Sequence, residues 1–252
     1  MGFEIHVETV PRRMILRSLD YHRTMQNAEP SSSELIAARR VKLERLKSEL
    51  GVEPFGNRLD GNVTLSAARA QFDASAHAAY DAASAVLKEN PDAVVADNRA
   101  VVIVAGRIVQ HRDMGKIIFI GLRDASGDLQ ISVSKSAMSA IDFEVAKALD
   151  YGDIISAEGR IGQTKKGEIC VWAKQLSIQS KNLEPPPSKW HGLEDTELRY
   201  RRRYVDMFAN PQTIKTFQAR SHIVSAIRHF METRGFLEVE TPMMHPVAGG
   251  AA

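Results

Sequence analysis

Apolar and polar residues alternate in five short segments between Val101 and Gln179, which predicts five β-strands. One segment with helical spacing, DFEVAKAL, separates the third strand from the fourth. The predicted strands, in chain order, are VVIVAGRIV, IIFIGLRD, DLQISV, DIISAEGRI and EICVWAKQLSI. This order is typical of a small closed β-barrel of the OB type, in which the second and third strands and two loops form a nucleic-acid-binding face.

The alternation also assigns the side chains of the second and third strands to opposite faces. Six aliphatic residues share one face and are expected in the core: Ile118, Ile120, Leu122, Leu129, Ile131 and Val133. The other face carries Phe119 and Gln130, with Gly121 and Ser132 beside them. An outward ring next to an amide suits an unpaired base, because the ring stacks on the base and the amide reads its edge. A neighbouring domain often covers an outward phenylalanine, so the ring alone does not establish binding.

Two loops flank this face, and both are basic. QHRDMGK (110–116) connects the first two strands, and QTKKG (163–167) connects the last two. Lysine-rich hairpins are ordinarily solvated turns, but these two occupy the positions where the OB fold contacts oligonucleotides. The agreement of both strands with both loops favours nucleic-acid binding.

Two helices are predicted before the barrel. Ser31 and Glu34 form a capping box, and Gly51 supplies the helix stop. The apolar positions of this helix are Leu35, Leu43, Leu46 and Leu50. Its predicted exposed side is basic and consists of Arg39, Arg40, Lys42, Arg45 and Lys47. That side either forms i,i+4 pairs with Glu44 and Glu49 in solvent or lies along an RNA backbone. An alanine-rich helix follows over residues 74–90, and Pro91 ends it.

The segment PPPS (185–188) predicts a stiff linker after the barrel. The arginine-rich run that follows, residues 190–207, suits either a phosphate backbone or ion pairs with its own acids. A helix with an apolar stripe is predicted from Pro211 to Gly235, and FLEVETPMM then alternates as a strand that Pro242 interrupts.

Composition narrows the classes of function. A net charge of +2 over 252 residues gives no global field for coating DNA, so any nucleic-acid contact is local. The single cysteine, Cys170, excludes a disulfide framework and fits a reducing compartment. The eight histidines show no metal-ligand spacing. We therefore expect a cytoplasmic protein with no protein-bound metal, no DNA partner and no membrane partner.

Five segments of the chain are distinctive: SELIAARR, EPFGNR, GKIIFIGLRD, KWHGLEDTELRYRRRYVDM and RGFLEVETPMMHPVAGGAA. On these segments, residues 31–252 resemble the N-terminal half of a bacterial-type lysyl-tRNA synthetase, a class II aminoacyl-tRNA synthetase. The barrel alone also suits aspartyl and asparaginyl enzymes, whereas HGLEDTELRYRRRY and PMMHPVAGGAA favour the lysyl enzyme. The segment around residues 73–93 departs from the compact family pattern.

The resemblance implies an α+β fold of N-terminal helices, a five-stranded OB-type anticodon-binding barrel, and the start of a class II α/β catalytic domain. The expected regions are an extension (1–30), a helical segment (31–98), the barrel (99–180), a linker (181–198) and the truncated catalytic domain (199–252). The extension is expected to be disordered or non-native, with Met25 as a possible true start. The first class II motif, a subunit-interface motif, falls on Phe217, Ile227 and Pro242.

The resemblance also implies roles for individual residues. In the family the barrel reads a uridine-rich lysine anticodon, with the stacking ring falling on Phe119, the amide reader on Gln130 and an acidic base contact on Glu168. Further RNA contacts are expected at Arg107, His111 and Arg112. Gly249 and Gly250 match a glycine pair beside the bound lysine, although a simple turn explains two glycines equally well.

The implied partners are the anticodon stem-loop of a lysine tRNA and, for the full-length enzyme, a second subunit in a homodimer. The implied reaction attaches lysine to the tRNA with ATP and Mg²⁺. The second and third class II motifs, which grip ATP, do not occur in the 252 residues, so we expect this chain alone to be inactive and to expose apolar surface along its interface helix. Two alternatives are a stand-alone tRNA-binding module and a fragment of an aspartyl- or asparaginyl-type enzyme.

Overall fold

The computed structural model describes residues 31–56, 58–89, 95–187 and 193–243. The chain divides between Pro185 and Pro186 into two compact units. The predicted extension (1–30), Gly249 and Gly250 lie outside the described residues. The finer domain boundaries expected from the sequence remain predictions.

Three helices precede the barrel in the first unit. They are α1 (Ser32–Ser48), α2 (Leu65–Ala70) and α3 (Ala74–Glu89). The predicted capping box of α1 is confirmed: Ser31 Oγ accepts from the Glu34 amide, and Glu34 accepts from the Ser31 amide at 2.8 Å. Thr64 caps α2 in the same way, because its hydroxyl accepts from the Ala67 amide.

The expectation of an exposed basic side on α1 is wrong for Arg39. This side chain is only 9% exposed, and its guanidinium donates to the carbonyl oxygens of Asn182 (2.8 Å) and Tyr151 (3.0 Å). Arg39 therefore fixes α1 to the barrel, through carbonyl groups more than 100 residues away that helical spacing cannot reveal. The predicted i,i+4 pair is present between Arg45 and Glu49, at 3.1 Å.

Five strands form the barrel, and each overlaps a predicted segment. They are β1 (Val101–Asp113), β2 (Ile117–Arg123), β3 (Asp128–Ser134), β4 (Ile154–Gln163) and β5 (Ile169–Ser180). Helix α4 (Ala140–Ala148) lies between β3 and β4, as the pattern predicted. The strands pair in the order β1-β2-β3-β5-β4, and β4 pairs again with β1 to close the barrel.

Strand alternation determines the core. The six aliphatic residues assigned to the inner face of β2 and β3 are each at most 1% exposed, which confirms the assignment. They pack with Phe143 of α4 and with inward residues of the remaining strands. Because a one-residue slip would exchange the two faces, burial of these six also fixes the register of the outer face.

The second unit contains α5 (Thr196–Arg201), α6 (Arg203–Ala209) and α7 (Pro211–Glu232). Asp206 is fully buried here and accepts from the guanidinium groups of Arg199 (2.8 Å) and Arg203 (2.7 Å). This arrangement supports the ion-pair interpretation of the arginine-rich run for these two arginines.

The strand predicted after Gly235 is wrong for the described residues, because residues 236–243 have no strand assignment. A strand requires a hydrogen-bonded neighbour, and none of the described residues of this unit supplies one. The apolar stripe of α7 is exposed as expected, with Ile223 and Ile227 each 59% exposed.

Candidate nucleic-acid interface

One row of paired residues crosses the outer surface of four strands. Arg112 of β1 is paired with Phe119 of β2, Phe119 with Ser132 of β3, and Ser132 with Trp172 of β5. Directly paired residues point to the same side of a sheet, and Phe119 lies between the inward residues Ile118 and Ile120. The row therefore faces away from the barrel core, and the predicted outward position of Phe119 is confirmed.

Phe119 and Gln130 lie close together on this surface. Both side chains are half-buried, and Gln130 is paired with Gly121, two residues along β2 from the ring. A Cβ atom added at Gly121 would lie 3.1 Å from the Cβ of Gln110, so glycine keeps this part of the outer face low. The ring and the amide thus border a shallow patch, with the Gln110 side chain at its edge, that a flat group can cover.

Arg112 contacts the amide of Gln130 from β1. Its guanidinium donates to the Gln130 side-chain oxygen at 3.4 Å, and its side chain is otherwise exposed. The contact orients the carbonyl end of the amide toward Arg112. A cation therefore lies beside the ring, where it can neutralise a phosphate while the ring holds the adjacent base.

His111 does not share the face of Phe119. It is paired with the core residue Ile120, and its Nε2 lies 2.9 Å from the carbonyl oxygen of Ala146 in α4. The predicted His111 and Arg112 pair is therefore divided between opposite sides of β1.

Arg107 lies toward the opposite end of β2 from Phe119. It is paired with Arg123, and its guanidinium donates to the Gly152 carbonyl oxygen at 2.9 Å. Arg107 thus helps to hold the turn before β4. Neither Arg107 nor His111 is brought together with the ring and the amide.

Glu168 lies in the loop between β4 and β5 and is exposed. The loop is closed by two hydrogen bonds, from the Thr164 amide to the Glu168 carbonyl oxygen (2.8 Å) and from the Gly167 amide to the Thr164 carbonyl oxygen (2.9 Å). Gly167 has φ +85°, a left-handed conformation that favours glycine. The turn leaves Lys165 and Lys166 exposed at its tip, beside the carboxylate.

Sequence reasoning missed Trp172 and the burial of Ser132. Ser132 was assigned to the outer face but is 1% exposed, because residues outside the barrel cover that part of the surface. Helix α3 and residues 95–99 line a cavity together with Ser132 and Trp172. Alternation in β5, where Val171 and Ala173 are buried in the core, was the signal that Trp172 points outward.

The predicted interface residues of the second unit are exposed. Phe217 is 38% exposed and Ile227 is 59% exposed, and Pro242 is exposed beyond the end of α7. Arg203 lies over the Phe217 ring, 5.2 Å from its centroid.

Within the described residues, no group of three or more His, Cys, Asp or Glu side chains is arranged to hold a metal ion. No helix in this part of the chain is long and apolar enough to cross a membrane.

Two family models match the chain. Residues 102–185 match the OB-fold nucleic acid binding domain, and residues 195–252 match the tRNA synthetases of class II (D, K and N).

Curated relatives agree with both matches. Lysine--tRNA ligase from Carboxydothermus hydrogenoformans is 41% identical over 220 residues, which is 87% of this chain and 40% of the relative. The ligase from Pelotomaculum thermopropionicum is 42% identical over 224 residues, 89% of this chain and 40% of the relative. The ligase from Dehalococcoides mccartyi is 48% identical over 151 residues, 60% of this chain and 30% of the relative. The chain thus spans about 40% of the length of the first two relatives.

Proposed function

Because the chain belongs to the class II lysyl-tRNA synthetase family, we propose that its barrel binds the anticodon stem-loop of a lysine tRNA. The whole protein would then attach lysine to that tRNA in the cytoplasm. The observation that carries the proposal is the outward placement of Phe119 and Gln130 on adjacent strands, with Arg112 in contact with the amide. An unpaired pyrimidine fits this arrangement, since stacking requires one exposed ring and edge reading requires one fixed amide.

Each group has a separate role in the proposal. Phe119 stacks on one uridine, Gln130 hydrogen-bonds its edge, and Arg112 neutralises the neighbouring phosphate. Glu168 accepts a hydrogen bond from a base N–H group, because an ionised carboxylate is only an acceptor. Lys165 and Lys166 add positive charge at the loop tip. This charge attracts the phosphate backbone, so it favours binding of RNA over binding of a free nucleobase.

Arg107 and His111 support β1, the strand that carries Arg112, and neither lies beside the ring and the amide. Their contacts with Gly152 and Ala146 hold β1 to the turn before β4 and to α4. We therefore assign them to positioning of β1 rather than to the direct RNA contacts that the resemblance implied.

The catalytic reaction of the whole protein would use ATP and Mg²⁺ to activate lysine. The described residues offer no cluster for Mg²⁺, so no step through either group is assigned to them. Gly249 and Gly250 would lie beside bound lysine. Phe217, Ile227 and Pro242 would pack against a second subunit, which suits the exposed apolar surface of α7.

RNA binding by variants of Phe119 tests the proposal. We expect Phe119→Ala to weaken binding of a lysine anticodon stem-loop by about 1 to 3 kcal/mol, because one base loses its stacking platform. Phe119→Tyr retains the ring and should bind within about twofold of the unmodified protein. Fluorescence anisotropy with labelled RNA measures both.

Phe55→Ala is the matched control. Phe55 is a partly exposed phenylalanine of the same unit, but it lies beside Lys47 and away from the row. A stem-loop whose anticodon uridines are replaced by cytidine provides the RNA control. Equal affinity of the unmodified protein for both RNAs, or equal losses for Phe119→Ala and Phe55→Ala, would contradict the proposal.

A further inference from the structure

A cavity of about 520 Å³ lies between α3 and the outer face of the barrel. Its floor is formed by Ser132 and Trp172, and its walls include His77 and Tyr80 of α3 together with Arg99. A cavity of this size exceeds what a single water molecule needs, and it is within the range of small-molecule sites.

Three buried polar atoms have no hydrogen-bond partner within the described parts of the chain, and all three belong to residues of this cavity. They are His77 Nδ1, Ser132 Oγ and Trp172 Nε1. Buried polar groups in folded proteins are almost always satisfied, so three such groups around one space indicate a missing polar ligand or water. The indole N–H is a donor only, whereas the hydroxyl and the imidazole can accept or donate. The three atoms therefore suit a ligand that has both hydrogen-bond donors and hydrogen-bond acceptors.

The charges of the cavity favour a neutral ligand. Arg99 donates to both oxygens of Asp97, at 2.9 and 2.8 Å, and Arg160 contacts the same carboxylate at 3.2 Å. The Arg99 guanidinium also lies over the Tyr80 ring, 3.7 Å from its centroid. Both arginines are thus already paired or stacked, and a phosphate bound by them would have to displace Asp97. The other two charged residues of the lining, Asp81 and Lys174, are exposed and opposite in sign, so together they add no net charge that favours a phosphate. A planar polar group without charge, such as a nucleobase, needs no such displacement.

The cavity continues the row that contains Phe119. Phe119 is paired with Ser132, and Ser132 with Trp172, so two strand spacings separate the ring of Phe119 from the indole. Adjacent strands are about 4.8 Å apart, which gives about 10 Å between the two aromatic positions. Neighbouring bases of an unstacked single strand can span this distance.

We propose that this cavity is a second base pocket, which takes a nucleobase next to the one that stacks on Phe119. The proposal deepens the proposed function and rests on it. Trp172 and Ser132 hydrogen-bond the edge of the inserted base, and His77 contacts it from α3. Helix α3, part of the segment that departs from the family pattern, thereby becomes the roof of an RNA site.

Two conservative variants of the full chain test the pocket. Ser132→Ala removes only the hydroxyl, and Trp172→Phe removes the indole N–H while keeping an aromatic ring. Each should weaken binding of the lysine anticodon stem-loop by roughly two- to tenfold, the value of one hydrogen bond. Ser177→Ala removes an exposed hydroxyl from the same strand as Trp172 and should bind as the unmodified protein does.

Abasic RNAs identify the inserted base. We expect one loop position at which removal of the base weakens binding and abolishes the further effect of Ser132→Ala. In a Trp190→Phe background, Trp172 is the only tryptophan, and its fluorescence should be quenched by the intact RNA and not by that abasic RNA. The salt dependence of binding should have the same slope for Ser132→Ala as for the unmodified protein, because no phosphate contact is lost.

Three outcomes would overturn the pocket. The first is normal RNA binding by both variants while Phe119→Ala is impaired, which leaves the anticodon interface intact. The second is a reduced salt slope, which indicates a phosphate rather than a base. The third is a variant effect that persists with every abasic RNA. If Phe119→Ala also bound the RNA normally, the result would contradict the proposed function itself and not only the pocket. Thermal unfolding of each variant separates binding loss from misfolding.

Discussion

Lys181 holds a buried charge network whose removal should destabilise the barrel strongly. The residue follows β5, and its ammonium group is fully buried. It donates to Asp153 at 2.7 Å, to Asp150 at 2.6 Å and to the Ala148 carbonyl oxygen at 3.2 Å. The change Lys181→Met keeps most of the apolar stem and removes all three hydrogen bonds.

The expected loss is about 3 to 4 kcal/mol of unfolding free energy. Breaking a buried ion pair costs about 3 to 5 kcal/mol, because the remaining charge has no counterion. Asp150 retains Lys42 at 2.5 Å, and Asp153 retains the amides of Asp150 (2.7 Å) and Asn182 (2.8 Å). These remaining partners place the loss in the lower part of that range.

Urea unfolding followed by circular dichroism measures this loss. Lys174→Met is the matched control, since Lys174 is an exposed lysine of β5 and its replacement should change stability by less than about 0.5 kcal/mol. A loss below about 1 kcal/mol for Lys181→Met would refute the reasoning.

Lowering the pH should reduce the difference in unfolding free energy between the unmodified protein and Lys181→Met. Burial opposes ionisation of Asp150, but the hydrogen bonds from Lys181 and Lys42 outweigh it and lower the pKa of this carboxyl. A lowered folded-state pKa stabilises the fold above the unfolded value of about 3.9, and this stability is lost as pH falls through the folded pKa. The unmodified protein should therefore lose more stability than Lys181→Met between about pH 5 and pH 3.

Two further predictions concern the stability of a Gly159 variant and the reactivity of Cys170. At Gly159, which lies at a bulge between β4 and β5, an added Cβ would fall on the Trp172 carbonyl oxygen and lie 2.7 Å from the Ala173 Cα. Gly159→Ala should therefore cost about 3 kcal/mol in urea unfolding, and a cost no larger than that of Gly121→Ala would contradict the clash. Burial raises the pKa of the Cys170 thiol to about 12, so the folded protein should not react with a thiol reagent at pH 8. Reaction should follow in denaturing urea, and rapid reaction of the folded chain would show that the thiol is accessible.

The barrel was predictable because period-two alternation is a local signal. The six inward aliphatic residues fixed the register, and the register placed Phe119 and Gln130 outward. Arg39 and Lys181 were not predictable in the same way, since their partners are 143 and 28 residues away and no periodicity connects them. Alternation also failed after Gly235, because it describes a side-chain pattern and not the neighbouring strand that the pattern requires.

The candidate site was only partly predictable, because a local pattern does not show which distant segments pack against it. The resemblance implied RNA contacts at both His111 and Arg112, but consecutive strand residues point to opposite faces, so only Arg112 is beside the ring. The cavity beneath α3 depends on where that helix packs, which composition does not determine. Only the three-dimensional structure shows that three of its polar atoms are buried and have no hydrogen-bond partner within the described residues.

Photocrosslinking tests most directly whether the outer face of β2 and β3 binds unpaired uridine. A lysine anticodon stem-loop carrying 4-thiouridine at one anticodon position at a time is irradiated with the full chain, and the crosslinked peptide is sequenced. At one or more positions the crosslink should fall on the peptides that contain Phe119 and Gln130, and unlabelled stem-loop should compete it away. Crosslinks confined to residues 193–243, or to barrel residues of the opposite face, would contradict the account.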